Sequence, residues 1–86
     1  GPLSELEALV ASDPSNSKAR FEYSQALYAA NNIDEAVAQL LELFSRDSDW
    51  NDGAAKAQLF TIFDALEPND PIVLNGRRKL SSMIFA

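Results

Sequence analysis

The stretch Ala19-Arg-Phe-Glu-Tyr-Ser-Gln-Ala-Leu-Tyr-Ala-Ala-Asn-Asn-Ile-Asp-Glu-Ala36, inside a longer segment from Asn16 to Asp47, decides how this chain folds. Apolar residues recur at Ala19, Tyr23, Ala26, Leu27 and Ala30, the three-and-four spacing of one helical face. After a break at Asn31-Asn32 the pattern resumes as Ile33, Ala36, Val37, Leu40, Leu41 and Phe44. Two helices separated by so short a break fold back as an antiparallel pair. Leu43 widens the second stripe, so that helix needs neighbours on two sides, one helix behind it and another ahead.

Working outward, Leu3 to Ala11 reads as a short leader helix, with Ser4 and Glu7 at capping-box spacing and Leu6, Leu9 and Val10 as its apolar side. A helix this short is stable only when docked. Asp13-Pro14 ends it, because the residue before proline is pushed out of the helical region, and Asn16 is the expected cap of the next helix. Asn31-Asn32 suits a left-handed helix exit, and Asn32 with Glu35 repeats the capping-box spacing. The polar segment from Asp47 to Gly53 is a second break. Beyond it, Ala55, Leu59, Ile62, Phe63 and Leu66 mark one face of a helix from about Asp52 to Leu66. Asp70 before Pro71 signals a final helix to about Phe85, burying Val73, Leu80 and Ile84, with Gly76 permitting close approach. The expected fold is all-α: one domain over residues 1–86, with a leader helix over about 3–11 and helical hairpins over about 17–46 and 52–85.

The first hairpin resembles the tetratricopeptide repeat, a helical hairpin of about 34 residues. The residues that carry the likeness are Ser24 at the small position midway along the first helix, Leu27 at the next large apolar position, Asp34-Glu35-Ala36 opening the second helix, and Leu40 and Leu43 after it. Three positions depart from the family pattern: Arg20 replaces an aromatic residue, Tyr23 a leucine and Ser48 a closing proline. The resemblance implies helical hairpins in a right-handed superhelical array. It also implies a concave groove lined by the first helix of each hairpin, at Lys18, Phe21, Gln25 and Tyr28, unless the leader helix covers them. Some members of the family hold a terminal carboxylate with lysine and asparagine in that groove; Phe21 and Gln25 stand at those positions, which implies a more apolar ligand.

Composition bounds the function. Apolar residues make up 47% of the 86 residues, and no run approaches the 18 or so needed to span a bilayer. A chain of this size buries roughly 60% of its extended-chain surface, enough for a modest core. Thirteen acidic residues against seven basic ones give a net charge of −6, which opposes binding to nucleic acid or to anionic membranes. With no cysteine, the core must come from helix packing rather than disulfides. Gly1-Pro2 reads as a linker or a cloning remnant, and the chain as a fragment of something larger.

Among candidate sites, Asp47, Asp49 and Asn51 imitate the start of a calcium loop. Asp52 stands where that loop requires glycine, and Gln58 where it requires a bidentate glutamate, so the segment reads as a capping turn. There is no histidine, no cysteine and no glycine-rich loop ahead of a helix, and the carboxylates Glu42 and Asp64 read as solvated charge, so neither catalysis nor a cofactor is expected. Trp50 is placed either to wedge between the hairpins or to anchor a partner. Arg77-Arg78-Lys79 is the one basic cluster, and Met83-Ile84-Phe85 brings three apolar residues to the end of the chain; together they are a candidate docking tip. Their alternatives are a complement to the helix dipole and completion of the core.

A closer likeness covers nearly the whole chain. Asp13-Pro14, Ala19-Arg20-Phe21, Ala26-Leu27-Tyr28-Ala29-Ala30, Leu40-Leu41-Glu42, Trp50-Asn51-Asp52, Asp70-Pro71, and Leu80-Ser81-Ser82 with Phe85-Ala86 resemble the C-terminal domain of bacterial thioredoxin-like proteins of the chaperedoxin (YbbN) type. That resemblance implies a thioredoxin domain preceding these residues, a cytoplasmic chaperone or co-chaperone, and a non-catalytic module binding unfolded clients or a folding chaperone such as the chaperonin. It places docking in the last helix, at Arg77, Arg78, Met83, Ile84 and Phe85. The alternative is a structural domain, a homodimerisation element acting through Ile84 and Phe85, or a spacer for an adjacent thioredoxin domain.

Overall fold

A computed structural model describes residues 1–85; Ala86, the last residue of the likeness just given, lies outside the described residues. Five α-helices follow one another: α1 (Pro2–Ser12), α2 (Ser17–Ala29), α3 (Ile33–Arg46), α4 (Ala54–Ala65) and α5 (Pro71–Phe85), with a single 3-10 turn at Trp50–Asp52. No strand occurs among the described residues, so the fold is the all-α arrangement expected.

The helix ends follow local chemistry. Asn16 caps α2, its side-chain oxygen accepting the Ala19 N–H at 3.0 Å. At the other end Asn31 takes φ 65°, while the N–H groups of Asn31 and Asn32 bond the carbonyls of Tyr28 and Leu27. That pairing is a Schellman closure, and asparagine tolerates its left-handed position. Asp70 caps α5 as expected, accepting the Ile72 N–H at 2.8 Å. Neither expected capping box forms. α1 starts earlier, at Pro2, where proline's fixed φ suits the first helical position, and Ser4 bonds back to the Gly1 carbonyl. Glu7 instead accepts the Tyr23 hydroxyl, and Glu35 the Gln39 amide. α4 begins at Ala54 rather than Asp52, because Asn51, Asp52 and Gly53 all hold positive φ and no right-handed helix can include them.

α3 is the shared element. It packs against α2 on one side and against α4 and α5 on the other. Its Ala36 joins Val10, Ala19, Tyr23 and Leu27 in a smaller cluster beneath α1. Its Val37, Leu40, Leu41 and Leu43 join Ala55, Leu59, Ile62, Phe63, Val73 and Leu80 in the larger one. This is the two-sided burial that the widened stripe requires. α4 and α5 meet through one contact of particular closeness: a Cβ at Gly76 would stand 2.6 Å from Cζ of the buried Phe63 ring. Three expected core positions are exposed: Leu9 on α1, Ala30 beyond the end of α2, and Ile84. For Ile84 the reason is length, since residues 81–85 of α5 are all exposed beyond its last buried residue, Leu80.

Candidate protein-binding site

The sequence pattern of α2 gives it two working faces. Ala19, Tyr23, Ser24 and Leu27 are buried against α1 and α3, while Lys18, Glu22 and Gln25 stay exposed. Phe21 lies between these sets, half-buried. Trp50 folds back on it, with ring centroids 5.3 Å apart and planes tilted by 51°. An aromatic pair at this spacing gains from its geometry beyond simple area burial. The tryptophan therefore ties the segment leading into α4 to α2, and keeps part of its ring at the surface.

Around this pair lies a groove of about 430 Å³, bordered by Lys18, Phe21, Glu22, Gln25, Trp50 and Asn51. Its floor is aromatic; its rim carries a weak Lys18–Glu22 ion pair at 3.9 Å and the two amides of Gln25 and Asn51. Amides at the edge of an apolar floor suit a peptide, whose backbone offers donors and acceptors and whose side chains supply the apolar contact. α1 does not cover this surface. Of the four groove candidates, Lys18, Phe21 and Gln25 come together here. Tyr28 packs instead between the two core clusters. Trp50 and Asn51, the other wall, were not read as groove residues, because nothing local in the sequence says that the loop returns to α2.

The second candidate surface is α5. Arg77 lies over the Phe63 ring at 5.2 Å and faces Asp64 at 3.8 Å. Arg78 donates to the Asn75 side chain at 3.0 Å. Neither lies in the last turn of α5, so a dipole-complementing role does not account for them. Met83 borders a small hollow with Phe44, Ser45 and Ser48. Phe85 is 82% exposed and Leu74 55%. Of the carboxylates Glu42 and Asp64, the first pairs with Arg46 and the second faces Arg77. At the calcium-like segment, Asp47 accepts the Ser17 hydroxyl at 2.6 Å, and among the described residues no cluster of acidic side chains is arranged to hold a metal.

One titratable group is displaced from its usual range. Burial of the Tyr23 ring, its hydrogen bond to Glu7 at 3.1 Å, and the negative charges of Glu7 and Glu35 all raise the hydroxyl pKa above the ordinary 10.0. A raised folded-state value means that the native chain keeps its proton where the unfolded chain loses it. The resulting stability is complete below about pH 10 and lost as pH rises through the folded-state value. Tyr23→Phe is expected to flatten this alkaline loss, read by urea unfolding at several pH values above neutrality.

A central helix packed on both sides, a small buried residue at Ser24 and an asparagine exit from α2 define a helical-repeat module. The tetratricopeptide repeat family matches residues 1–85, and the chain belongs to that family. Domains of this family generally mediate protein–protein contact and are typically non-catalytic. Neither a curated protein nor a solved structure matches the chain. No helix among the described residues is long and apolar enough to cross a membrane.

Proposed function

We propose that residues 1–86 act as a single non-catalytic domain that binds a segment of a partner protein along α2, on the groove at Lys18, Phe21, Gln25, Trp50 and Asn51. The observation that carries this reading is the half-exposed Phe21–Trp50 pair at the floor of a groove that α1 leaves open. An exposed aromatic floor with amides at its rim favours an extended or helical segment presenting apolar side chains. Following the chaperedoxin resemblance, the partner is an unfolded client or a folding chaperone such as the chaperonin, and the setting is the cytoplasm of a bacterium, beside a thioredoxin domain. Lys18→Glu and Gln25→Arg alter exposed groove residues without touching the core. Combined, they are expected to weaken binding to purified chaperonin, or to a permanently unfolded client, by at least about tenfold in fluorescence anisotropy titrations. Retained affinity removes the groove from the proposal.

A second surface has its own support. The exposed Met83, Ile84 and Phe85, beside Arg77 and Arg78, form an apolar tip with a basic flank. If docking runs through this tip, Met83→Ser with Phe85→Ser abolishes binding and the groove variant does not. If neither pair matters and the chain dimerises in sedimentation velocity, the spacer or dimerisation reading takes over.

A further inference from the structure

Among the described residues Arg20 is the one charged side chain in the core, only 6% exposed. Its guanidinium donates to Gln39 Oε1 at 2.6 Å and to the Pro14 carbonyl at 3.1 Å. Both acceptors are neutral. Among the described residues no carboxylate lies within ion-pair distance, and Nε, which makes no hydrogen bond, is open to solvent, since no buried side-chain polar atom lacks a partner. A buried cation without a counter-charge is costly, and guanidinium keeps donors in a fork that matches an oxyanion. The same residue walls a cavity of about 380 Å³ shared with Ser15, Ser17, Arg46 and Asp47. Two arginines and one carboxylate thus border the cavity, and neither arginine pairs with that carboxylate. That carboxylate, Asp47, is engaged by the Ser17 hydroxyl rather than by Arg20. Arg46 is half-exposed and donates to Glu42 through Nε, and among the described residues its two terminal nitrogens make no hydrogen bond. The first turn of α2 adds the positive end of a helix to the same wall.

We propose that this cavity is an oxyanion site, taking a carboxylate or phosphate group carried by a bound protein. Arg20 is its buried anchor and Arg46, through its terminal nitrogens, its second donor. The site stands apart from the Phe21–Trp50 groove, so each can fail without the other.

The test is a two-dimensional amide NMR titration of the intact chain with sodium acetate and, separately, sodium phosphate, against sodium chloride at matched ionic strength. Saturable shifts at Ser17, Arg20 and the Arg20 Nε–H are expected, with half-saturation at about 1–10 mM, the range of a single charged contact. Saturation by acetate alone assigns the site to a carboxylate, tighter saturation by phosphate to a phosphorylated group, and either supports it. Arg20→Gln is expected to remove the saturable shift. Because Arg20 is also a core residue, Arg46→Gln provides a variant at a half-exposed position, expected to weaken binding several-fold with the fold intact. Shifts no different from those in chloride, or saturation unchanged in Arg46→Gln, overturn the proposal.

Discussion

Phe63→Ala is expected to cost about 3–5 kcal/mol in urea unfolding, the largest effect of any single truncation in the chain. The ring is 1% exposed and stands between α4 and Gly76 of α5. Its removal leaves a cavity that the helices cannot close without α5 shifting as a body. A chain of this length has a total stability of roughly 4–13 kcal/mol, so the variant lies near the edge of folding. Gly76→Ala tests the same contact from the α5 side. Gly76→Ala would ordinarily stabilise a helix by about 1 kcal/mol. Here its Cβ stands 2.6 and 2.7 Å from Cζ and Cε1 of Phe63, and overpacking outweighs propensity. The expected net loss is about 1–2 kcal/mol. In a Phe63→Leu background the clashing atoms are gone, and Gly76→Ala is expected to become neutral or stabilising. A double-mutant cycle showing no coupling removes the close approach as the explanation.

Ser24→Leu is expected to destabilise by about 3 kcal/mol, the upper end of overpacking costs. Ser24 is 1% exposed on the buried face of α2, where that helix packs on α3. Its hydroxyl bonds only to the Phe21 carbonyl within its own helix, at 2.6 Å. Space rather than hydrogen bonding is therefore the constraint. Ser24→Ala, which keeps the volume and improves helix propensity, is expected to change stability by less than about 0.5 kcal/mol. Comparable losses for both variants in thermal or urea unfolding point to the hydroxyl instead and contradict the packing account.

These two sites illustrate what the sequence discloses. Ser24 is legible through the tetratricopeptide resemblance, whose pattern wants a small residue midway along the first helix, and Gly76 as a helical glycine that permits close approach. The two-sided stripe of α3 likewise announces its central position, and Asp70-Pro71 and Asn31-Asn32 mark helix ends by backbone chemistry alone. Arg20 is the opposite case. Its spacing is that of a core residue and its chemistry that of a surface one, and only the fold shows that Pro14 and Gln39 receive it. The capping boxes fail for a related reason: Glu7 and Glu35 have better partners in Tyr23 and Gln39, and Tyr23 lies on another helix. The groove is half legible. Lys18, Phe21 and Gln25 follow from the tetratricopeptide resemblance, whereas nothing local in the sequence brings Trp50 and Asn51 to the same groove.

Trp50 is the sole tryptophan of the chain, and its ring, just ahead of α4, rests on Phe21 of α2. Its emission therefore reports the union of the two halves, while far-ultraviolet dichroism reports their helices separately. Repeat arrays need not melt as a unit, because each layer holds chiefly to its neighbour. In this chain the two signals give a direct reading of cooperativity: superimposed transitions mean that the shared α3 binds both halves into one unfolding event, and an early loss of the tryptophan signal means that the second hairpin departs first.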